Sequence, residues 1–228
     1  MGLLAFFESL MPKRTIAVGD IHGCALALQR LIEAVRPTAD DLVVTLGDYV
    51  DRGPESRQVV DLLIDLEDRC QLAPLLGNHE IMMLEALEDL ESLRFWLECG
   101  GMATVESYGG GMEEIPAAHL AFFHRCHRFV ETEDFIFLHA NYDPDLPLDA
   151  QPDRLLFWEH VVRRLPPEHY TGKTVIVGHT PQTSGEILDL GHLICLDTYC
   201  VGDGWLTAME MESRQVWQAN KQGELRAP

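Results

Sequence analysis

The chain contains no Cys-x-x-Cys pair, no internal repeat, no low-complexity tract and no hydrophobic run long enough to cross a bilayer. Each absence removes a class of protein. A thiolate zinc module or a disulfide scaffold needs closely spaced cysteines. Here Cys24, Cys70, Cys99, Cys126, Cys195 and Cys200 lie far apart, as buried free thiols of a reducing compartment would, with pairing or metal binding by Cys195 and Cys200 as the alternative. A transmembrane helix needs roughly twenty consecutive apolar residues, so no spanning segment is expected. The opening Met1-Gly2-Leu3-Leu4-Ala5-Phe6-Phe7 is apolar, but it has no basic region and no convincing cleavage site, and Phe6 stands where a myristoylation signal carries Ser or Thr. Residues 1–12 are expected to form an extension packed on the core, with a short membrane-touching helix as the alternative. The lack of address signals points to the cytoplasm.

Basic residues are scarce as well: 17 Lys and Arg stand against 37 Asp and Glu, a formal charge of −20. Non-specific nucleic-acid binding relies on basic surface and is not expected. The same imbalance repels any anionic substrate unless strong local positive charge sits in the site. Bound divalent cations would supply it, and formal charge counts leave them out.

With 228 residues, 46% of them hydrophobic and 24% charged, the chain can bury a sizeable core and is expected to form one domain over residues 1–228. Strand-like runs end abruptly in polar clusters. Thr15-Ile16-Ala17-Val18 leads into Gly19-Asp20-Ile21-His22-Gly23, followed by a helical pattern through Leu26, Leu28, Leu31, Ile32 and Val35. Leu42 to Leu46 leads into Gly47-Asp48-Tyr49-Val50-Asp51-Arg52-Gly53, and a helix fits Val59 to Leu66. Leu72 to Leu76 reaches Gly77-Asn78-His79-Glu80, with helix-like Ile81 to Leu90 behind it. Three strand–polar turn–helix units predict parallel βαβ construction and an α/β fold, whose strand ends share one crevice. From about 92 to 128 the chain reads as helices interrupted by Gly100-Gly101 and Gly109-Gly110-Gly111. This is a helical cap or substrate-facing insertion, with ordinary helix caps and turns as the alternative. Later strands end at His139, at Gly178-His179-Thr180 and at Asp197, and Trp205 to Met211 with Gln215 to Gln218 reads as a closing hairpin.

Asp20 and His22 face one side if the backbone between them stays extended. Asp48 and Asp51, Asn78 and His79, then His139 and His179 follow other strands. Singly, such residues serve turns or hydrogen-bonded cores. Five clusters, all at strand ends, are hard to explain that way. Mixed oxygen and imidazole donors suit manganese, iron or zinc, and neither a thiolate zinc site nor an all-oxygen calcium site. Asp48, with two oxygens, is the candidate to bridge two ions.

The three early blocks resemble the signature motifs of the phosphoprotein phosphatase family, within the calcineurin-like metallophosphoesterases. His139-Ala140 and Gly178-His179-Thr180 are similar to that family's later histidine motifs. The resemblance runs from about Ile16 to Asp197 and is nearest to the compact bacterial and bacteriophage lambda members. It implies a four-layer α/β/β/α sandwich holding two divalent metal ions, manganese first, with iron or zinc as alternatives. Asp20, His22 and Asp48 would hold one ion; Asp48, Asn78, His139 and His179 would hold the other, with a water or hydroxide between them. Paired cations acidify such a water and clamp the attacking and developing oxygens. His79 would protonate the leaving oxygen, and Asp51 would orient His79. Arg52 offers a planar fork for phosphate oxygens. Glu80 reads as a helix-start residue.

Two departures stand out. Compact relatives carry a second phosphate-binding arginine where this chain has His160, so Arg52, Asn78 and His160 are the residues expected to face substrate, with Arg163 or Arg164 compensating. Relatives often read Asp-Thr-Gly where this chain has Asp197-Thr198-Tyr199. His119, His124, His127, His169 and His192 follow no ligand pattern; His124 and His127 read as solvated positions in a helical stretch. The acidic run Glu85 to Glu91 reads as a solvated helix face. The expected activity is phosphomonoester hydrolysis on phosphoserine or phosphothreonine in proteins, and on small phosphoesters. Hydrolysis of diadenosine tetraphosphate is the enzymatic alternative, implied by the resemblance of these motifs and of the Gly100-Gly101 to Tyr108-Gly109 segment to relatives that cleave it, and a silent metal- or partner-binding module is the third reading. The oligomeric state stays open.

Overall fold

The computed structural model describes residues 12–227, so the expectation for the apolar segment before Pro12 lies outside the described residues. The first half alternates strand and helix as β1 (Thr15–Val18), α1 (Ala25–Val35), β2 (Leu42–Thr45), α2 (Ser56–Glu67), β3 (Gln71–Pro74) and α3 (Asn78–Ala86). Helix α1 buries Ala27, Leu28, Leu31 and Val35 along one stripe and ends at Arg36, whose left-handed backbone (φ 52°) turns its N–H onto the Ile32 carbonyl. A helical stretch follows: α4 (Leu90–Trp96), a π-turn over Leu97–Gly101, α5 (Met102–Ser107), a short 3₁₀ turn and α6 (Ala117–His124). The second half holds β4 (Phe129–Glu131), β5 (Phe135–Leu138), α7 (Asp153–Trp158), β6 (Thr174–Val177), β7 (Leu188–Asp189), β8 (Leu193–Cys195) and the hairpin β9 (Leu206–Glu210) with β10 (Val216–Ala219).

These strands form two five-stranded mixed sheets, ordered β10-β9-β1-β2-β3 and β4-β5-β6-β8-β7. Alternate side chains along each strand point to opposite faces, so every central strand feeds two cores. Ile16, Val18 and Val43 meet α1 and α2; Ala17, Leu42 and Val44 meet Phe137, Ile176 and Ile194 of the second sheet. Ile136, Val175 and Leu193 face outward onto α7. Strands covered on both sides read as continuous apolar runs, as the sequence does. Each buried aliphatic or aromatic side chain contributes about 1.5–3 kcal/mol by leaving water. The expected four layers are present, but the last is thin: the six-residue α7 is completed by Tyr142, Leu148 and Val161 from loops.

The helical stretch is built onto the main core, with Trp96, Tyr108, Phe122 and Phe123 buried in it. The Tyr108 hydroxyl lies 2.8 Å from His119 Nδ1, and His119 Nε2 lies 3.0 Å from Asp61 on α2, which ties the stretch to that helix. Two expectations need correction. Helix α3 stops at Ala86, so the acidic run from Glu85 to Glu91 is no single helix face; Asp89 instead caps α4, accepting the Glu91 and Ser92 N–H groups. His124 closes α6, whereas His127 lies outside any helix, half-buried and bridged to Leu75. All six cysteines are free, and the Cys195 thiol donates to the Gly178 and Thr180 carbonyls.

Register between β1 and β2 decides whether the polar groups beyond them stand level. Thr15 pairs with Leu42 and Val18 with Thr45. Just before both strands, Arg14 donates from Nε to Asp41 Oδ1 (3.0 Å) and from Nη2 to Oδ2 (2.6 Å), and the Thr38 N–H and hydroxyl add two further bonds. The Arg14 hydrogen bonds hold the Asp41 carboxyl below its ordinary value against the opposing effect of burial. A depressed folded-state value stabilises the fold above the unfolded value of about 3.9, and the gain drains away as pH falls through the folded value. Asp41→Ala should therefore cost about 3 kcal/mol in urea denaturation at neutral pH. The gap to the wild type should narrow in acid; a gap independent of pH would show that the ion pair contributes nothing.

Candidate metal centre

Apart from His160, which follows α7, every expected site residue stands where a strand of one sheet or the other runs out. Beyond β1, Asp20 and His22 are each 4% exposed; beyond β2, Asp48 is 2% and Asp51 0%; at the start of α3, Asn78 is 6% and His79 1%; beyond β5, His139 is 0%. His179 follows β6 and is half-buried, and Arg52 is exposed at the rim. The backbone that delivers them departs from the extended geometry expected between Asp20 and His22. Among the described residues, left-handed φ values occur at His22 (45°), Asp48 (52°), Asp51 (73°), Arg52 (68°), His179 (59°) and the rim residue Tyr199 (64°). Non-glycine residues held this way cost about 1–3 kcal/mol each and persist where surrounding structure fixes them. Tyr199 thus occupies a turn where a glycine would be unstrained, with its ring against Gly202.

Two contacts do the fixing. The first two loops meet backbone to backbone at Gly23 and Gly53, where an added Cβ on Gly53 would lie 2.0 Å from the His22 carbonyl oxygen. Glu80 does more than open α3: its carboxylate accepts N–H bonds from Gly77 (3.0 Å), Asp48 (2.8 Å), Tyr49 (2.7 Å) and Val50 (3.2 Å). That clamp presses the second motif loop onto the third. Burial and the nearby Asp48 charge push the Glu80 carboxyl up to about 8, against the pull of those N–H groups.

Asp48 lies between two imidazoles, its Oδ2 3.4 Å from His22 Nε2 and its Oδ1 3.4 Å from His139 Nε2. The other nitrogen of each ring fixes the tautomer. His22 Nδ1 donates to the Val50 carbonyl at 2.9 Å and His139 Nδ1 to the Leu46 carbonyl at 2.7 Å. Burial lowers both histidines, His22 to about 3, so both rings are neutral and each Nε2 carries a lone pair. His139 Nε2 therefore faces Asp48 and also Asn78 Oδ1, at 3.0 Å, with no proton between these acceptors. His179 Nδ1 reaches the same Asn78 oxygen at 3.0 Å, and His179 Nε2 is buried without a hydrogen-bond partner among the described residues. Burial, then His139, lowers His179 to about 3 as well.

Charge gives the same reading. Burial, then Asp197, then Asp48 drive Asp20 well above the ordinary carboxylate value, and burial pushes Asp197 up to about 7 with Asp48 adding to it. Burial alone would raise Asp48 too, but the histidines around it, with His79 the one whose pKa is raised, outweigh it and hold that carboxyl low. Clustered carboxylates, converging lone pairs and an orphaned buried nitrogen fit a pair of divalent cations. The donor atoms of Asp48, His139 and His179 lie within 4.8 Å of one another, as do those of His22, Asp48 and His79. Asp20 is not in that second trio, whose third donor is His79; both Asp20 oxygens turn to the His179 N–H, at 3.1 and 2.9 Å.

His79 Nδ1 meets Asp51 Oδ2 at 2.6 Å, the pairing the sequence predicts. Burial opposes a charged imidazole there, yet Asp48 and the Asp51 bond prevail and raise the His79 pKa. The Arg52 guanidinium lies 2.8 Å from His22 Nε2. His160 is not helical, since α7 stops at Trp158; its ring packs 4.7 Å from that of His179. Of its two possible substitutes, Arg164 is engaged with Asp143 at 3.2 Å. Sequence reasoning missed Asp197 as a site carboxylate, although its strand-end position carried the same signal as the others. It also missed Trp96 and Thr104, which reach Asp51 and carry no motif signature.

Crowding of like charges yields a test that needs no catalysis. Asp20 has a raised folded-state value, so its ionisation destabilises the metal-free fold as pH rises from the unfolded value through the folded one. Metal-free Asp20→Asn should melt at or above the metal-free wild type at neutral pH, with the two converging in acid. Manganese should raise the melting temperature of the wild type more than that of the variant. A metal-free variant less stable than the wild type would contradict the carboxylate crowding.

Comparison with known proteins agrees with this geometry. The family model of the calcineurin-like phosphoesterases matches residues 13–204. Serine/threonine-protein phosphatase 2 of Salmonella typhimurium strain LT2 is 34% identical over 132 residues, 56% of this chain and 58% of that protein. The symmetrical bis(5'-nucleosyl)-tetraphosphatase of Thioalkalivibrio sulfidiphilus is 41% identical over 80 residues, 34% of this chain and 28% of that one. The chain thus spans little more than half the length of the curated relatives it matches, or less. A solved structure described as a candidate diadenosine tetraphosphatase superposes with TM-score 0.69 at 23% identity, covering 92% of this chain and 96% of the other. A cold-active protein-tyrosine phosphatase of a psychrophilic Shewanella gives 0.68 at 16% identity, covering 95% and 80%. These last two show the fold alone. On the strength of the matched motifs and the strand-end site they build, the chain belongs to the calcineurin-like phosphoesterase family.

Proposed function

We propose that this protein is a metal-dependent phosphomonoesterase acting on phosphoserine or phosphothreonine in proteins. The observation that carries the reading is the Asp48 carboxylate held between two neutral imidazole nitrogens, beside the His79–Asp51 pair and the Arg52 guanidinium. His22, Asp48, His139, His179, Asn78 and Asp20 would hold two divalent ions, manganese being the one to restore first. Bound there, such ions supply the positive charge that water activation and phosphoryl binding require.

The protein's own groups do the rest. Arg52, exposed at the rim, can turn its planar fork from His22 to two phosphate oxygens. His79 directs Nδ1 to Asp51, which leaves Nε2 to face the substrate, and its raised pKa keeps a proton available. As the water oxygen bonds to phosphorus and the ester P–O bond breaks, that proton passes to the leaving oxygen. His160, seated over His179, replaces a second arginine as a substrate contact, and Arg163 adds charge nearby.

Hydrolysis of dinucleoside polyphosphates is the second reading, favoured by the 41% match to a bis(5'-nucleosyl)-tetraphosphatase. Charge argues for the first. A chain of formal charge −20 repels a polyanion of four phosphates and attracts a phosphorylated residue set in a basic peptide.

Metal-stripped protein restored with manganese should therefore cleave a basic phosphoserine peptide with higher kcat/KM than diadenosine tetraphosphate. The opposite ranking would replace the first reading by the second, and no turnover of either with metals bound would leave a silent binding module. His79→Asn should keep its metals and lose about 10²–10⁴-fold in kcat on alkyl esters. Equal loss on esters with good and poor leaving groups would count against the acid role.

A further inference from the structure

Asp51 is fully buried and gripped from three sides. Its Oδ2 accepts from His79 Nδ1 at 2.6 Å and from the Trp96 indole N–H at 2.8 Å; its Oδ1 accepts the Thr104 hydroxyl at 2.7 Å. The Thr104 oxygen accepts the Asp51 N–H in turn, at 2.8 Å, and lies 3.0 Å from the Ser56 hydroxyl. No other donor set on this carboxylate is needed to explain its orientation. Trp96 closes α4 and Thr104 lies in α5, 45 and 53 residues along the chain from Asp51.

The Gly-Gly pair between them makes this reach possible. Gly100 has φ 117°, and its carbonyl accepts the Arg52 N–H at 3.1 Å. A Cβ on Gly100 would sit 2.9 Å from Arg52 Cγ, and one on Gly101 would sit 2.4 Å from the Trp96 ring. The π-turn Leu97–Gly101 therefore lays its backbone against Arg52 while α4 and α5 extend one donor each to Asp51. A larger residue at either glycine would push the bracket off the loop it holds.

We propose that Trp96 and Thr104 are positioning residues of the reaction: they lock the Asp51 carboxylate in one orientation, and so set the direction in which His79 offers its free nitrogen to the leaving oxygen. The proposal rests on the phosphoesterase reading and on His79 as the acid. A carboxylate bound by His79 alone can rotate about χ2, which is broad for aspartate. With Trp96 on one oxygen and Thr104 on the other, rotation breaks two bonds in a dry site, where unpaired groups are costly. Misalignment of a proton donor by a fraction of an ångström is felt in kcat and scarcely in binding. The segment from α4 to α5 then belongs to the catalytic apparatus and is more than a wall beside it.

The test compares phenyl phosphate with 4-nitrophenyl phosphate, esters of nearly equal shape that differ in how much they need a proton on leaving. Thr104→Val removes the hydroxyl at constant volume, Thr104→Ser keeps it, and Trp96→Phe removes the indole N–H while keeping an aromatic ring. In manganese-loaded protein, Thr104→Val and Trp96→Phe should retain wild-type metal content and KM within about twofold. Their kcat on phenyl phosphate should fall about tenfold, and on 4-nitrophenyl phosphate by no more than about twofold. Thr104→Ser should restore the phenyl phosphate rate. Equal losses on both esters, unchanged rates on both, or no rescue by serine overturns the proposal. Should Thr104→Val not fold, Trp96→Phe carries the same comparison alone. An active wild type with unaffected variants sinks only the positioning role; a metal-loaded wild type that cleaves neither ester sinks the phosphoesterase reading along with it.

Discussion

Burying carboxylates side by side is the constraint around which this molecule is arranged. Asp20, Asp48 and Asp197 stand beyond β1, β2 and β8, nearly inaccessible to water, with Arg52 as the nearby guanidinium. Each buried charge costs several kcal/mol unless something compensates it. The loops that hold them add backbone strain at five residues of the candidate site and at Tyr199. At about 1–3 kcal/mol for each strained residue, that sum rivals the roughly 5–15 kcal/mol by which a domain is stable at all. Three apolar cores between the four layers, the Glu80 clamp and the Arg14–Asp41 pair hold the loops in place. Divalent cations, when bound, convert the remaining repulsion into attraction and would stabilise the fold by mass action.

The same constraint explains how much could be read from the chain alone. Three strand–turn–helix units were legible because short continuous apolar runs give way to a helical period at fixed polar blocks, and parallel strands bring those blocks to one edge. Asp48, His79, Asp51 and His139 were legible for the same reason. What stayed hidden depends on contacts across long sequence separations. Glu80 looked like a helix-start residue because its bonds to residues 48–50 come from another loop. The left-handed backbone at His22 follows from the close approach of Gly23 to Gly53, which no local propensity encodes. The break between α3 and α4 was lost inside an acidic run whose composition suits one helix as well as two. The place of His160 was hidden as well: α7 ends two residues earlier, and the ring packs against that of His179.

At the rim this chain departs from the family pattern that its motifs resemble. His160 takes the place of a guanidinium with a group that offers fewer donors and a titratable charge. Tyr199 adds an aromatic ring at a turn whose backbone angle would suit glycine. The chain as a whole carries a formal charge of −20, a field that any anionic substrate meets on its way to this rim. The α4–α5 bracket connects this rim to the interior, since Gly100 touches Arg52 while Trp96 and Thr104 touch Asp51.

The central claim, that buried donors from both sheets converge on a pair of cations shared through Asp48, can be examined without any substrate. Crystals grown with manganese and measured at its absorption edge should show two anomalous peaks. One should lie on the His22 side of Asp48 and the other between Asp48, Asn78, His139 and His179. A single peak remote from Asp48, or none with the side chains arranged as described here, would contradict it.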